Sequence, residues 1–289
     1  MLPDRGDWIG PHVRAATAMF HDGAAMLHDG WVCTVVVSFE PGERCPLLLL
    51  GVRDELTDRP WRPPARHWPG SDTGPLVGGI DEQAGGTWLA VHPRVPRVSC
   101  LLNGCGVLAE PQTRRSRGEL PLRAAAAGPQ VLKELAEDDA ALARYDPFHL
   151  VVADLRSLWL LSWDGERAMN GDLPPGTRVL VNSGHAYPAN PVTEPKAAYF
   201  GPKFAASRPS GDPALPVAQA WEPWLTLAAG DGLDPGDPRA IVARRVLPDG
   251  RRWGTTSLSL VALAADGRLR YDFQSRANGD AHWHQVDVS

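Results

Sequence analysis

Short apolar runs recur along the chain between glycine, proline and aspartate residues, and runs of this length and composition predict strands. They cover residues 33–39, 46–53, 75–81, 86–92, 97–103, 148–155, 157–165, 177–182, 240–247, 256–263 and 268–274. Most neighbouring runs are joined by only a few residues, which favours antiparallel pairing. The run 46–53 is apolar almost throughout, as expected of a strand that is covered on both faces.

Three longer stretches predict helices, and they separate the blocks of strands: 119–143, where Gly128-Pro129 breaks an alanine run, 196–207 and 215–229. The proline-rich segment 59–64 predicts an irregular loop. Blocks of strands with helices inserted between them predict an α+β fold, in which two mainly antiparallel sheets carry helices on their outer faces. Residues 33–289 contain no long linker and no internal repeat, so we expect them to form one domain.

Composition argues against several classes of protein. The net charge of −5 argues against nucleic acid or an anionic membrane as the main partner. No run approaches the ~18 apolar residues of a membrane span, and charged residues interrupt the first thirty positions, unlike a secretory signal. We therefore expect a cytoplasmic protein without a transmembrane segment. The sequence does not predict its oligomeric state.

Cysteine usage indicates neither a disulfide scaffold nor a metal site. The chain has four cysteines, too few for a disulfide framework in 289 residues. The spacing of Cys100 and Cys105 is not that of a zinc site, so no metal and no required cofactor are predicted. The dipeptide Cys45-Pro46 is of a type seen at some haem-responsive sites, but a proline that opens a strand also explains it.

Candidate chemistry lies where the first two predicted strands meet. Because these strands are sequential and joined by a short turn, they are expected to pair, which brings Arg53 and Asp54 close to Cys33. An arginine beside a thiol lowers its pKa and supplies thiolate near neutral pH. If Cys33 were the first residue, its α-amine could serve as base for its own thiol, with Asp54 holding the amine. The alternative is a solvated strand end with a local salt bridge.

Several motifs occur together in the order found in one family. They are CTVVVSF (33–39), GVRDELTDRPW (51–61), GGIDEQAGGTWLAV (78–91), LLNGCG (101–106), SRGELPLRA (116–124) and FHLVVADL (148–155). With them the chain resembles the NRDE family, also called the transport and Golgi organisation family. The resemblance implies a four-layer αββα sandwich like that of the N-terminal nucleophile hydrolases, whose cysteine branch cleaves amides of acylated amines.

The resemblance also implies roles for particular residues. Cys33 would be the nucleophile, Arg53 and Asp54 its neighbours, and Asn103 and Asn182 possible donors to an oxyanion. A turn or strand-end role is the alternative for each asparagine. Two positions depart from the family pattern: Val52 replaces the asparagine of the name motif, and Thr256 stands where arginine is usual, which counts against hydrolase activity.

Residues 1–32 are expected to be an N-terminal extension. Family members typically begin Met-Cys, and Val32 precedes Cys33 directly. Valine can be encoded by GUG, an initiation codon common in G/C-rich genes, and the scarcity of lysine here suggests such a gene. We therefore expect a misassigned start, with a cleaved propeptide and a retained extension as the alternatives.

Two functions remain open from the sequence. The first is a cysteine amidohydrolase that acts on an acyl amide or thioester through Cys33. The second is a non-catalytic carrier that holds haem or a lipid-like ligand in the same cleft. The hydrolase interpretation predicts that Cys33 alkylates before Cys45, Cys100 and Cys105, which the strand pattern places in or near the core.

Overall fold

The computed structural model of the protein describes residues 33–70, 74–188, 194–276 and 281–289. The extension predicted at residues 1–32 lies outside these ranges. Within them, the strands are β1 (Thr34–Phe39), β2 (Leu47–Leu56), β3 (Trp61–Ala65), β4 (Val77–Asp81), β5 (Leu89–His92), β6 (Arg97–Asn103), β7 (Phe148–Asp154), β8 (Leu158–Trp163), β9 (Ala168–Asp172), β10 (Gly176–Val181), β11 (Gly184–Tyr187), β12 (Arg244–Val246), β13 (Arg252–Leu263), β14 (Leu269–Ser275) and β15 (Trp283–Gln285).

The strands form two sheets, and the pairings within them are antiparallel. The first sheet has the order β11-β10-β1-β2-β13-β14-β15, with β12 added beside β13. The second sheet is a meander that runs from β3 to β9 in chain order. The helices are α1 (Leu120–Ala127), α2 (Pro129–Ala136), α3 (Asp139–Leu142), α4 (Pro195–Ala206), α5 (Val217–Ala220) and α6 (Glu222–Ala228). This architecture confirms the predicted α+β class.

Alternation along the central strands divides the core into layers. In β2, Leu47 and Leu49 pack between the two sheets, whereas Leu48 and Leu50 pack outward against the α4–α6 side. Both faces of β2 are therefore covered, which explains its continuous apolar run.

The second sheet is covered in the same way. In β7, Val151 and Ala153 face the first sheet, and Leu150 and Val152 pack against the α1–α3 side. The order of layers is thus helix, sheet, sheet, helix. Within the described residues, no helix combines the length and hydrophobicity of a membrane span.

Some local predictions are wrong. The segment predicted as a loop at 59–64 contains most of β3, which lies at the edge of its sheet, where prolines cost no ladder hydrogen bond. In the helical stretch predicted at 119–143 the break expected at Gly128-Pro129 is confirmed, but a second break before Asp139 was not predicted, so the stretch forms three helices. The helix predicted at 215–229 is two short helices that meet at Trp221. Of the strand predicted at 240–247 only β12, with three residues, is present. Strands β9, β11 and β15 were not predicted.

Candidate functional site

Cys33 lies immediately before β1, in the middle of the first sheet. Thr34 pairs with Val52 on one side and with Val181 on the other, so the next residues in register with Cys33 are Arg53 and Asn182. The Cys33 Sγ accepts a hydrogen bond from the Asp54 backbone N–H at 3.4 Å and lies 3.3 Å from the Asp54 carbonyl oxygen. The pairing predicted from the sequence is confirmed, and it brings Arg53 and Asp54 to Cys33.

Asp54 is a buried carboxylate. Thr255 Oγ1 donates to Asp54 Oδ1 at 2.6 Å, and Lys196 Nζ in α4 lies 3.7 Å from Oδ2. The separation of Lys196 Nζ and Oδ2 is short enough for an ion pair but too long for a hydrogen bond. Oδ2 accepts no hydrogen bond from the described residues. Burial raises the pKa of Asp54 to about 6, although Lys196 and Thr255 act to lower it.

Arg53 projects its guanidinium into a network of its own. Nη1 donates to Thr256 Oγ1 at 2.9 Å, and Nη2 lies 3.5 Å from Asp81 Oδ2. The guanidinium carbon is 4.5 Å from the centroid of the Trp88 ring, a cation–π distance. Only 5% of the Arg53 surface is exposed, so Arg53 does not fit the alternative of a solvated strand end with a local salt bridge.

The two departures from the family pattern take structural roles. Val52 packs in the outer core between the first sheet and its helices, on the opposite face from Arg53. Thr256 is the extra residue where the pairing of β13 with β2 shifts register, and its hydroxyl also donates to the Arg53 carbonyl at 3.2 Å. Thr256 therefore fixes the arginine that lies nearest to Cys33 in register.

A cleft of about 650 Å³ opens over Cys33. Arg53 lines it from the first sheet, and Trp88, Leu101 and Asn103 line it from the second sheet side. Asn103, at the end of β6, is exposed there, as an oxyanion donor would need to be. The volume falls within the range of about 300–1,000 Å³ that is usual for small-molecule sites.

Asn182 lies beside Cys33 but does not line this cleft. Its side chain is buried, and its Oδ1 has no hydrogen-bond partner among the described residues. Its backbone oxygen accepts from His149 Nε2 at 3.0 Å, while His149 Nδ1 lies 2.8 Å from Ser162 Oγ. Burial lowers the pKa of His149 to about 4, so the ring is neutral and its Nε2 carries the proton.

Two contributors to the site were missed from the sequence. His149 interrupts the apolar run of β7, and that single polar position was the available signal. Lys196 is one of three lysines in the chain, and the rarity of lysine was the available signal. Both residues reach the site from segments far from it in sequence.

The state of the Cys33 thiol contradicts the prediction. Burial raises its pKa to about 12, and the Asp54 carboxylate adds to that rise, whereas Arg53 acts in the lowering direction and is outweighed. Cys45 and Cys100 are buried as expected, but Cys105 is exposed rather than in or near the core. The thiol of Cys33 in this chain is therefore protonated near neutral pH.

Alkylation of the full chain is expected to begin at Cys105 and not at Cys33. Below its pKa a thiol gains about tenfold in thiolate per pH unit, so labelling of Cys33 should accelerate about a hundredfold from pH 7 to pH 9. Iodoacetamide labelling with peptide mapping measures both rates, and Cys105→Ser removes the competing site. Fastest labelling at Cys33 at pH 7 would contradict a half-buried, protonated thiol.

These features define a class of protein: an αββα sandwich with a cleft at the end of its central strands and a cysteine in that cleft. Within this class, the chain belongs to the Transport and Golgi organisation 2 family, whose sequence profile matches residues 32–204. The match includes Cys33, Arg53 and Lys196 but ends within α4, so β13 with Thr255 and Thr256 lies beyond it. No curated protein matches the chain.

Proposed function

We propose that this protein is a cytoplasmic cysteine hydrolase that cleaves an acyl amide or thioester, with Cys33 as nucleophile. The observation that carries the proposal is the position of Cys33. It opens onto the cleft, lies in register between Arg53 and Asn182, and has its Sγ at the backbone of Asp54. A nucleophile, a cation and a buried carboxylate thus lie at one strand end.

The proposed reaction has two steps. The Cys33 sulfur attacks the acyl carbonyl carbon, a C–S bond forms, and the C–N or C–S bond of the substrate breaks as the leaving group takes up the thiol proton. Water then hydrolyses the thioester, which releases a carboxylic acid and restores the thiol. Asn103 lines the cleft and, in this proposal, donates to the oxyanion. Asn182 would need its side chain to turn toward Cys33 to do the same.

The raised pKa of Cys33 suggests what activates it. A thiol with a pKa of about 12 needs a base, and the described residues bring no histidine to this cleft. An α-amine on Cys33 itself would supply that base, as in N-terminal nucleophiles. Asp54 Oδ2, which accepts no hydrogen bond from the described residues, would be the acceptor that orients this amine.

The test compares a protein that begins at Cys33 with the full chain on a panel of fluorogenic acyl amides and thioesters. We expect turnover only from the protein that begins at Cys33, because only it carries the free amine. Cys105→Ser in the same background is the matched control and should keep full turnover, since Cys105 does not line the cleft. Equal turnover by both proteins would contradict the amine mechanism, and turnover that survives Cys33→Ala would contradict the nucleophile.

The carrier remains a second candidate because the Cys33 thiol is protonated and Thr256 replaces the usual arginine. Trp88 and Leu101 give the cleft an apolar wall that would suit a lipid-like ligand. Haem fits less well: no histidine lines the cleft in the described residues, and Cys45 is buried in the outer core. Titration of haem and of an acyl amide into the full chain separates the two functions, since a carrier should bind one of them without turnover.

A further inference from the structure

Arg117 differs from the other arginines of the cleft. Arg53 and Arg59 pair with Asp81, Arg114 pairs with Asp146, and Arg115 pairs with Glu119. Among the described residues no carboxylate lies within ion-pair distance of Arg117, which lines the same cleft. A guanidinium that is half-buried without a counter-ion costs free energy, so its position indicates a ligand that would supply the charge.

The backbone around Arg117 is fixed against the second sheet. The Gly118 carbonyl accepts from the Thr87 N–H at 2.9 Å, and Ser116 Oγ accepts from the Gly118 N–H at 3.2 Å. A Cβ on Gly86 would lie 2.4 Å from the Gly118 carbonyl carbon, so only glycine permits this approach. The Gly-Gly-Thr-Trp and Ser-Arg-Gly motifs thus pack backbone against backbone, and this contact positions Arg117 at the cleft.

The side chain of Arg117 is itself oriented. Nη1 donates to the Pro147 carbonyl at 2.6 Å, which leaves further N–H donors of the planar guanidinium for another acceptor. Burial lowers the pKa of Arg117, and the charge of Asp146 acts in the opposite direction. Arg117 and Cys33 both line the cleft, so a ligand bound by Arg117 would lie in the same cleft as the thiol.

We propose that Arg117 binds a carboxylate on the substrate, so that the substrate class is an acyl compound that carries a carboxylate group. That the ligand is a substrate rests on the proposed function. Binding of a carboxylate at Arg117 does not itself require turnover. A carboxylate matches the guanidinium in charge and planar geometry. A phosphate would bring a second negative charge next to Glu55, Asp81 and Asp146, which also line the cleft.

Binding to the full chain tests this inference separately from hydrolysis. Isothermal titration of the Cys33→Ala protein uses N-decanoylglycine, its neutral match N-decanoylglycinamide, and decyl phosphate. We expect N-decanoylglycine to bind at least about tenfold more tightly than the other two, as a charge-assisted hydrogen bond would allow. Arg117→Gln should abolish that preference, Arg117→Lys should keep part of it, and Arg123→Gln, an exposed arginine on α1, should leave it unchanged.

The outcomes keep the two proposals apart. Equal binding of the carboxylate and the amide, stronger binding of the phosphate, or no binding of the carboxylate would overturn the role of Arg117. A preference that survives Arg117→Gln would overturn it as well. Tight, Arg117-dependent binding without turnover in the protein that begins at Cys33 would instead overturn the hydrolase and leave the carboxylate site standing.

Discussion

Asp54→Asn is expected to reduce acyl hydrolysis about a hundredfold or more in the protein that begins at Cys33, since a group that serves the general base contributes about 10²–10⁴. The carboxylate of Asp54 would hold the α-amine so that its lone pair faces the thiol. An amide can also hydrogen-bond the amine, but it lacks the charge that keeps the amine basic. In the full chain, where Cys33 has no free amine, the same change should instead speed thiol labelling, because the Asp54 carboxylate contributes to the raised pKa of Cys33.

The pH profile separates this role from a structural one. Protonation of the α-amine, whose ordinary pKa is about 8, gives a first acid limb. The pKa of Asp54 is about 6, so its ionised form is lost as the pH falls through 6, and activity should show a second acid limb there. Asp54→Asn should lack the limb near pH 6, whereas Asp58→Asn, which changes an exposed aspartate just beyond β2, should retain it. Replacing Asp54 leaves Lys196 without this ion-pair partner and is expected to lower stability. Thermal unfolding of each variant therefore checks that the fold is retained. An unchanged profile in Asp54→Asn would remove Asp54 from the mechanism.

Arg53→Gln is expected to slow alkylation of Cys33 about tenfold or more at a fixed pH. Arg53 is the nearest cation in register with Cys33 and lowers its pKa against burial, and each lost unit of that effect is a factor of ten in thiolate. Glutamine retains much of the packing against Trp88, so charge is the main loss. Hydrolysis by the protein that begins at Cys33 should fall by a similar factor.

Matched variants identify the cause of that loss. Arg62→Gln removes an exposed arginine that pairs with Glu82, and its labelling rate should equal that of the unchanged protein. Arg53→Lys keeps the charge, although it loses the bond to Thr256, and should restore most of the rate. The contrary result is that Arg53→Lys labels Cys33 as slowly as Arg53→Gln does and that both variants are equally destabilised. Arg53 would then have a structural role and not an electrostatic one.

The fold was predictable because its signals are local. The apolar runs of β1, β2, β7 and β13 are long enough to identify strands, and the uniform run of β2 indicated a sheet covered on both faces. The edge strand β3 could not be predicted because its prolines argue against a strand unless the edge position is known. The same holds for β12 and β15, three residues each, which exist only because longer strands offer them an edge.

The candidate site was predictable only as far as strand pairing extends. Cys33, Arg53 and Asp54 meet because two sequential strands pair, and a short turn makes that pairing apparent from the sequence. The direction of the Cys33 pKa shift could not be predicted, because it depends on how deeply the strand end is buried and not on its neighbours alone. An arginine adjacent in register proved weaker than desolvation.

Other members of the site come from distant parts of the chain. Lys196 reaches Asp54 from α4, and Thr255 and Thr256 reach Asp54 and Arg53 from β13, two hundred residues away. Arg117 faces the cleft because Gly86 and Gly118 allow two backbones to touch. Such contacts depend on tertiary packing, so a single sequence shows the residues without showing that they meet.

The acyl-enzyme intermediate is the most direct test of the central claim that Cys33 is a nucleophile. A fluorogenic decanoyl amide or thioester is mixed with the protein that begins at Cys33, quenched in acid within seconds, and digested for mass spectrometry. The mechanism predicts a decanoyl group on the peptide that contains Cys33, formed in a burst and absent from Cys33→Ala quenched at the same time. Release of product without any adduct on Cys33, or an adduct on Cys105 alone, would contradict it.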